Sequence, residues 1–135
     1  MKLSEIIKGR EIDVSPSPIQ ASDIGMAEAF LGVKIGDQLQ EYLTEYGYIG
    51  CGFVEMYGIN SKMGSRSSMI KRTVSLHEHH PKTKNLIVIE DQGDGDYYLT
   101  DSNDKIYRYL ESRNELTDMD MTLFDYIAQR LSLTD

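Results

Sequence analysis

The sequence predicts an α+β domain, a mainly antiparallel sheet with helices packed on it. Two observations carry that expectation. Between Leu86 and Leu110, three runs of strand-forming residues are separated by two clusters of Gly, Asp, Asn and Ser, the composition that reverses a chain. Outside that stretch, apolar residues recur at helical spacing in four places. The resulting order is helix, helix, strand, helix, three strands, helix, and it suits helices packed on antiparallel strands.

Taken in order, residues 1–21 read as a lead-in, partly mobile, with a short helical turn and a Ser15-Pro16-Ser17-Pro18 segment whose prolines favour extended neighbours. The domain proper is expected over 22–135. Ile24, Ala27, Phe30 and Leu31 form the first helical stripe, with Ser22 or Asp23 as N-cap and Gly32 as stop. Asp37 opens the second helix, in which Leu39, Tyr42, Leu43 and Tyr46 share a face and Gly47 ends the run. Residues 47–52 are too glycine-rich for a helix, and Phe53–Ile59 reads as the first main strand. Ser67 or Ser68 caps a third helix with Met69, Ile70, Thr73, Leu76 and His80 inward, ended by Pro81.

Leu86-Ile87-Val88-Ile89 has the composition of a strand buried on both faces. Gly93-Asp94-Gly95-Asp96 turns the chain, Tyr97–Thr100 returns, Asp101–Asp104 turns it again, and Ile106–Leu110 alternates like a half-solvated strand. Residues 111–119 read as polar and irregular. Asp120 or Thr122 then caps a closing helix with Leu123, Phe124, Ile127 and Leu131 on one stripe.

At 135 residues with 40% hydrophobic and 27% charged side chains, the chain has the composition of one folded domain. No apolar run approaches the roughly 18 residues of a membrane span, and the N-terminus lacks a signal peptide's apolar block, so a cytoplasmic location is expected. Cys51 is the only cysteine, which excludes an internal disulfide, and it reads as a small apolar filler.

The net charge of -8 is unevenly placed: residues 86–135 hold 12 acids and 4 bases, whereas residues 1–85 hold 10 of each. Such a surface repels phosphate, disfavours nucleic acid, and attracts a basic partner.

Catalytic and metal motifs do not assemble. His77-Glu78-His79-His80 lacks the spacing of HExxH and has no further ligand, so no metal is expected. Glu90–Asp101 overlays a calcium loop only at Asp94 and Gly95, and its flanks are strands. Asp94 and Asp96 sit on an exposed turn with nothing to separate their pKa values, and no nucleophile with its base is present, so no enzyme and no cofactor are expected. Lys62, Arg66, Lys71 and Arg72 form a basic cluster that reads as a solvated helix face.

Certain segments resemble the SUKH superfamily, which includes yeast cell-wall regulators of the Smi and Knr type and many bacterial immunity proteins. They are Ala27-Glu28-Ala29-Phe30-Leu31-Gly32-Val33 in the first helix and Leu39-Gln40-Glu41-Tyr42-Leu43-Thr44-Glu45-Tyr46-Gly47 in the second. Ile70-Lys71-Arg72-Thr73 and Leu86-Ile87-Val88-Ile89-Glu90-Asp91 are most similar to the YobK-like immunity proteins. The chain departs from the family pattern at Ile35-Gly36, where leucine-proline is usual, and at Tyr46-Gly47-Tyr48, where asparagine-glycine follows the second helix.

The resemblance implies a non-enzymatic immunity protein that binds and neutralises a cognate bacterial toxin, commonly a nuclease domain. A runner-up is an intracellular regulatory or scaffold module without a toxin. The acidic hairpins are the expected binding surface, with Asp91, Asp94, Asp96, Asp101 and Asp104 meeting a basic partner and Tyr98 supplying rigid contact area.

Overall fold

In the computed structural model, which describes residues 2–61 and 68–135, the apolar run at 86–89 is buried throughout and leads into strand β3 (Ile87–Asp91). Ahead of it, α1 (Leu3–Ile7), α2 (Ile24–Leu31) and α3 (Asp37–Glu45) precede a two-stranded hairpin, β1 (Ile49–Cys51) and β2 (Val54–Met56). Helix α4 (Ser68–His79) follows, and β3 continues into β4 (Asp96–Thr100), β5 (Lys105–Leu110), β6 (Glu115–Thr122) and α5 (Leu123–Ser132). The four later strands pair antiparallel in the order β3-β4-β5-β6, so the molecule is an α+β domain. Ser67, Lys62 and Arg66 lie outside the described residues; Ser68 is the first residue of α4.

Two elements differ from expectation. The segment read as irregular, 111–119, is a single 3-10 turn and then most of β6. Its apolar positions Leu116, Met119 and Met121 break strict alternation because a register shift and a positive φ at Asp120 displace part of the strand. The strand read at Phe53–Ile59 is instead half of a tight hairpin. Gly52, at φ +56, turns the chain between Cys51 and Val54 and leaves Phe53 65% exposed at the tip. Phe30, assigned to the inward stripe of α2, is 44% exposed.

Register decides which side chains share a face. Ile87, Thr100 and Ile106 are cross-strand partners on one face, and Val88, Leu99 and Tyr107 on the other. A bulge between Val88 and Glu90 then shifts the alternation by one residue. It puts Glu90 on the face with Tyr98 and Arg108, and Asp91 on the face with Tyr97 and Tyr109. Helix α5 covers the first face, where the Tyr126 ring stacks on Tyr98 at 4.9 Å. Helix α4 covers the second, where the Val88 N–H donates to Thr73 Oγ1 at 3.0 Å and Arg72 pairs with Asp91.

The first residues pack into the same core. Leu3 and Ile19 are buried, α1 contacts α5, and Arg10 pairs with Asp135 and donates to the Leu131 carbonyl at 2.9 Å. Tyr42 of α3 is fully buried and its hydroxyl donates to the Met56 and Tyr57 carbonyls, at 2.9 and 2.7 Å, joining that helix to the hairpin. Gly58 permits the chain's closest approach to Gly47, since a Cβ there would stand 1.7 Å from the Gly47 carbonyl oxygen.

The departure at Ile35-Gly36 has a structural cause. Asp104, at φ +63 in the β4–β5 turn, reaches across to α3 and accepts the N–H groups of Gln38 at 3.0 Å and Leu39 at 3.1 Å. A Cβ at Gly36 would lie 2.5 Å from that carboxylate. Proline there would therefore displace the group that caps α3. Burial raises the Asp104 carboxyl's pKa, an effect that the two N–H groups oppose.

Asp104→Ala should lower the unfolding free energy by about 2 kcal/mol, from the lost cap and the strained turn. Asp104→Asn, which tolerates the same backbone, should fall between the two in urea denaturation. Because the folded state binds this proton more tightly than the unfolded state, the stability difference between wild type and Asp104→Asn should shrink as pH rises from about 4 toward neutrality. A difference that grows over that range would contradict the assignment.

Candidate protein-binding surface

The acids expected to form one surface are divided by the meander. The β3–β4 turn bearing Asp94, with Asp91 and Asp96 beside it, lies at one end of β4, and the Asp101–Asp104 turn at the other. At about 3.3 Å per strand residue those ends are on the order of 15 Å apart. Most of the carboxylates are also committed within the chain. Asp91 pairs with Arg72 at 3.1 Å and accepts the Gly93 N–H at 2.8 Å. Asp96 forms a bidentate pair with Arg108, both distances 2.9 Å, which holds the guanidinium's pKa up.

Asp101 accepts the N–H groups of Asn103 and Lys105 and the Tyr107 hydroxyl, at 2.8, 3.0 and 3.2 Å. Asp104, expected on the exposed turn, is 7% exposed and serves as the helix cap. Asp94 is exposed with no hydrogen-bond partner among the described residues.

Beneath this end of the sheet lies a buried ion pair. The Glu90 carboxylate is bound by Arg130 through two contacts of 2.9 Å, by the Tyr126 hydroxyl, and more weakly by the Glu55 N–H at 3.4 Å. The Glu90 and Arg130 side chains are 4% and 14% exposed. Glu90 keeps the Arg130 guanidinium's pKa raised, and burial beside that carboxylate raises the Tyr126 phenol's.

Over this pair the surface forms a shallow saddle. One hollow, about 330 Å³, is lined by Phe53, Glu55, Tyr57, Glu90, Asp91, Gln92 and Arg130. A second, about 250 Å³, shares Gln92 and Arg130 with it and continues over Tyr98, Met119, Met121 and Leu133. Phe53 lies with its ring 5.4 Å from the Arg130 guanidinium, and Leu133 is 59% exposed. Exposed apolar groups surrounded by carboxylates form a surface suited to contact with another protein.

Of the residues expected at the site, Tyr98 and Asp91 line this saddle, Asp96 flanks Tyr98 on the same face, and Asp94, Asp101 and Asp104 are not among its lining residues. Phe53, Met119, Met121 and Leu133 were not legible as site residues. The alternation Met119-Asp120-Met121 was the available signal for two of them.

The three histidines act separately. His77 Nε2 lies 2.7 Å from the Leu86 carbonyl, His79 Nδ1 2.8 Å from the Ser75 carbonyl, and His80 Nε2 2.7 Å from the Glu111 carboxylate. Cys51 is half-buried beside the Thr134 hydroxyl. Among the described residues no helix is long and apolar enough to cross a membrane.

Fold and surface together describe an α+β module with two adjoining hollows lined by apolar and charged side chains. The model of the SUKH_5 family, described as SMI1-KNR4 cell-wall, matches residues 2–132, and the chain belongs to that family within the SUKH superfamily. Comparison with curated proteins gives no match.

Removing one partner of the buried pair leaves the other charged and without its counterion. Arg130→Ala should cost about 3–5 kcal/mol of stability, and Glu90→Gln combined with Arg130→Met should recover most of it. Urea unfolding of the three chains measures both effects; an Arg130→Ala protein as stable as wild type would show that the pair contributes little.

Proposed function

We propose that this chain is a non-enzymatic immunity protein that binds a cognate bacterial toxin, a basic domain such as a nuclease, and neutralises it by occupying its surface. Membership of the SUKH family over residues 2–132 carries the reading, being consistent with an immunity-type protein. The saddle supports the place of contact. Phe53, Tyr98, Met119, Met121 and Leu133 offer apolar anchors, Glu55 and Asp91 line the hollows beside them, and Asp96 flanks Tyr98 with the exposed Asp94 in the adjoining turn. A nuclease must present positive charge to phosphate, so a carboxylate rim complements it and speeds encounter, while aromatic anchors slow dissociation.

The test is survival of cells expressing the toxic domain of the adjoining gene, with and without this chain, followed by co-purification. Rescue with a stable complex is expected. Within that complex Phe53→Ala should cost about 2 kcal/mol, roughly thirtyfold in Kd, and leave thermal stability unchanged because the ring is exposed. Asp94→Lys should slow association several-fold at low salt and much less at high salt. Unaltered association at low salt would remove the acidic rim from the interface.

The family description names the cell wall, which favours a second reading, a regulatory scaffold without a toxin. A harmless neighbouring gene product and no rescue would move the assignment there.

A further inference from the structure

We propose that the groove between α4 and the sheet is a binding site for a small phosphate-class dianion, either free phosphate or a phosphate monoester. The groove has a volume of about 590 Å³, and its lining includes Lys71, Arg72, Ser75, His80, Tyr97 and Glu111. It lies against α4 on the sheet face that carries Tyr97, and it does not depend on the toxin reading.

The charge here runs against that of the molecule. Residues 68–84 contain four lysines and arginines, one glutamate and three histidines, a formal charge of +3 with neutral histidines, within a chain of -8. Two of these side chains already hold carboxylates at the groove wall. Arg72, stacked 4.6 Å from the Tyr57 ring centroid, bonds Asp91 at 3.1 Å, and His80 bonds Glu111 at 2.7 Å. The Lys71 ammonium and the Tyr97 and Ser75 hydroxyls have no hydrogen-bond partner among the described residues.

That arrangement selects the ligand. A monoanion such as acetate gains nothing over the resident carboxylates of Asp91 and Glu111. A dianion with three or four acceptor oxygens can engage Lys71, Arg72 and both hydroxyls together, with stronger charge-assisted bonds. The Tyr97 ring and Leu76 add an apolar wall on which the ester group of a monoester can rest. A polynucleotide is disfavoured by Glu111 in the lining and by Asp91 bonded to Arg72, which repel its flanking phosphates.

The experiment is a titration of the full chain at pH 7.5, followed by amide chemical shifts, with inorganic phosphate, phenyl phosphate, acetate and chloride at matched ionic strength. Saturable shifts confined to α4 and β4 are expected for the two phosphates and not for acetate or chloride. Lys71→Ala should weaken binding at least tenfold. Glu111→Gln should tighten it several-fold by removing the competing charge. Tighter binding of phenyl phosphate than of phosphate supports an ester ligand, and equal binding supports free phosphate. Identical non-saturating shifts for all four anions, or a dissociation constant indifferent to Lys71→Ala, would overturn the site. Loss of toxin rescue would leave this result unaffected.

Discussion

The Glu90 carboxylate is the constraint on which the packing depends. A charge 3% exposed is costly unless its oxygens are fully bonded, and here the bonds come from three separate parts of the chain. Arg130 and Tyr126 approach from α5, and the Glu55 N–H approaches from β2. Strand, helix and hairpin must therefore hold one mutual position for the charge to be tolerated. The bulge between Val88 and Glu90 makes this possible by turning Glu90 toward α5 and Asp91 toward Arg72 of α4. Strand alternation sends the two consecutive acids to different helices, and the bulge decides which acid meets which.

The same constraint shapes the outer surface. Arg130, fixed from below by Glu90, supports Phe53 from above and sits where the two hollows of the saddle meet. Cationic groups collect along α4 in a chain that is acidic as a whole, so the molecule has an uneven charge that its net charge conceals.

The glycine at position 36 also follows from packing. Gly36 stands where proline is usual because the Asp104 carboxylate occupies the space a side chain would need. An acid that reads as part of an exposed turn is consequently a structural cap. Its neighbour Asp101 organises its own turn through two backbone N–H groups.

Composition and periodicity were sufficient for the fold class, for the helices from Ile24 onward and for the three strands of the meander; they left Asp120 or Thr122 as the last helix's cap, and Thr122 fills it, its oxygen accepting the Asp125 N–H at 3.3 Å. These features rest on local chemistry: apolar spacing, capping side chains and turn residues act within a few positions of one another. The acidic bias of the last fifty residues was equally legible, and so was the family.

Tertiary structure alone decided which acids face outward, because that depends on a bulge in β3 and on the distance between two turns. It also revealed β6, whose polar outer face obscures its pairing, and the saddle, whose residues come from positions 53 to 133. Burial, charge pairing and surface shape are properties of residues brought together across the chain, and no local pattern encodes them.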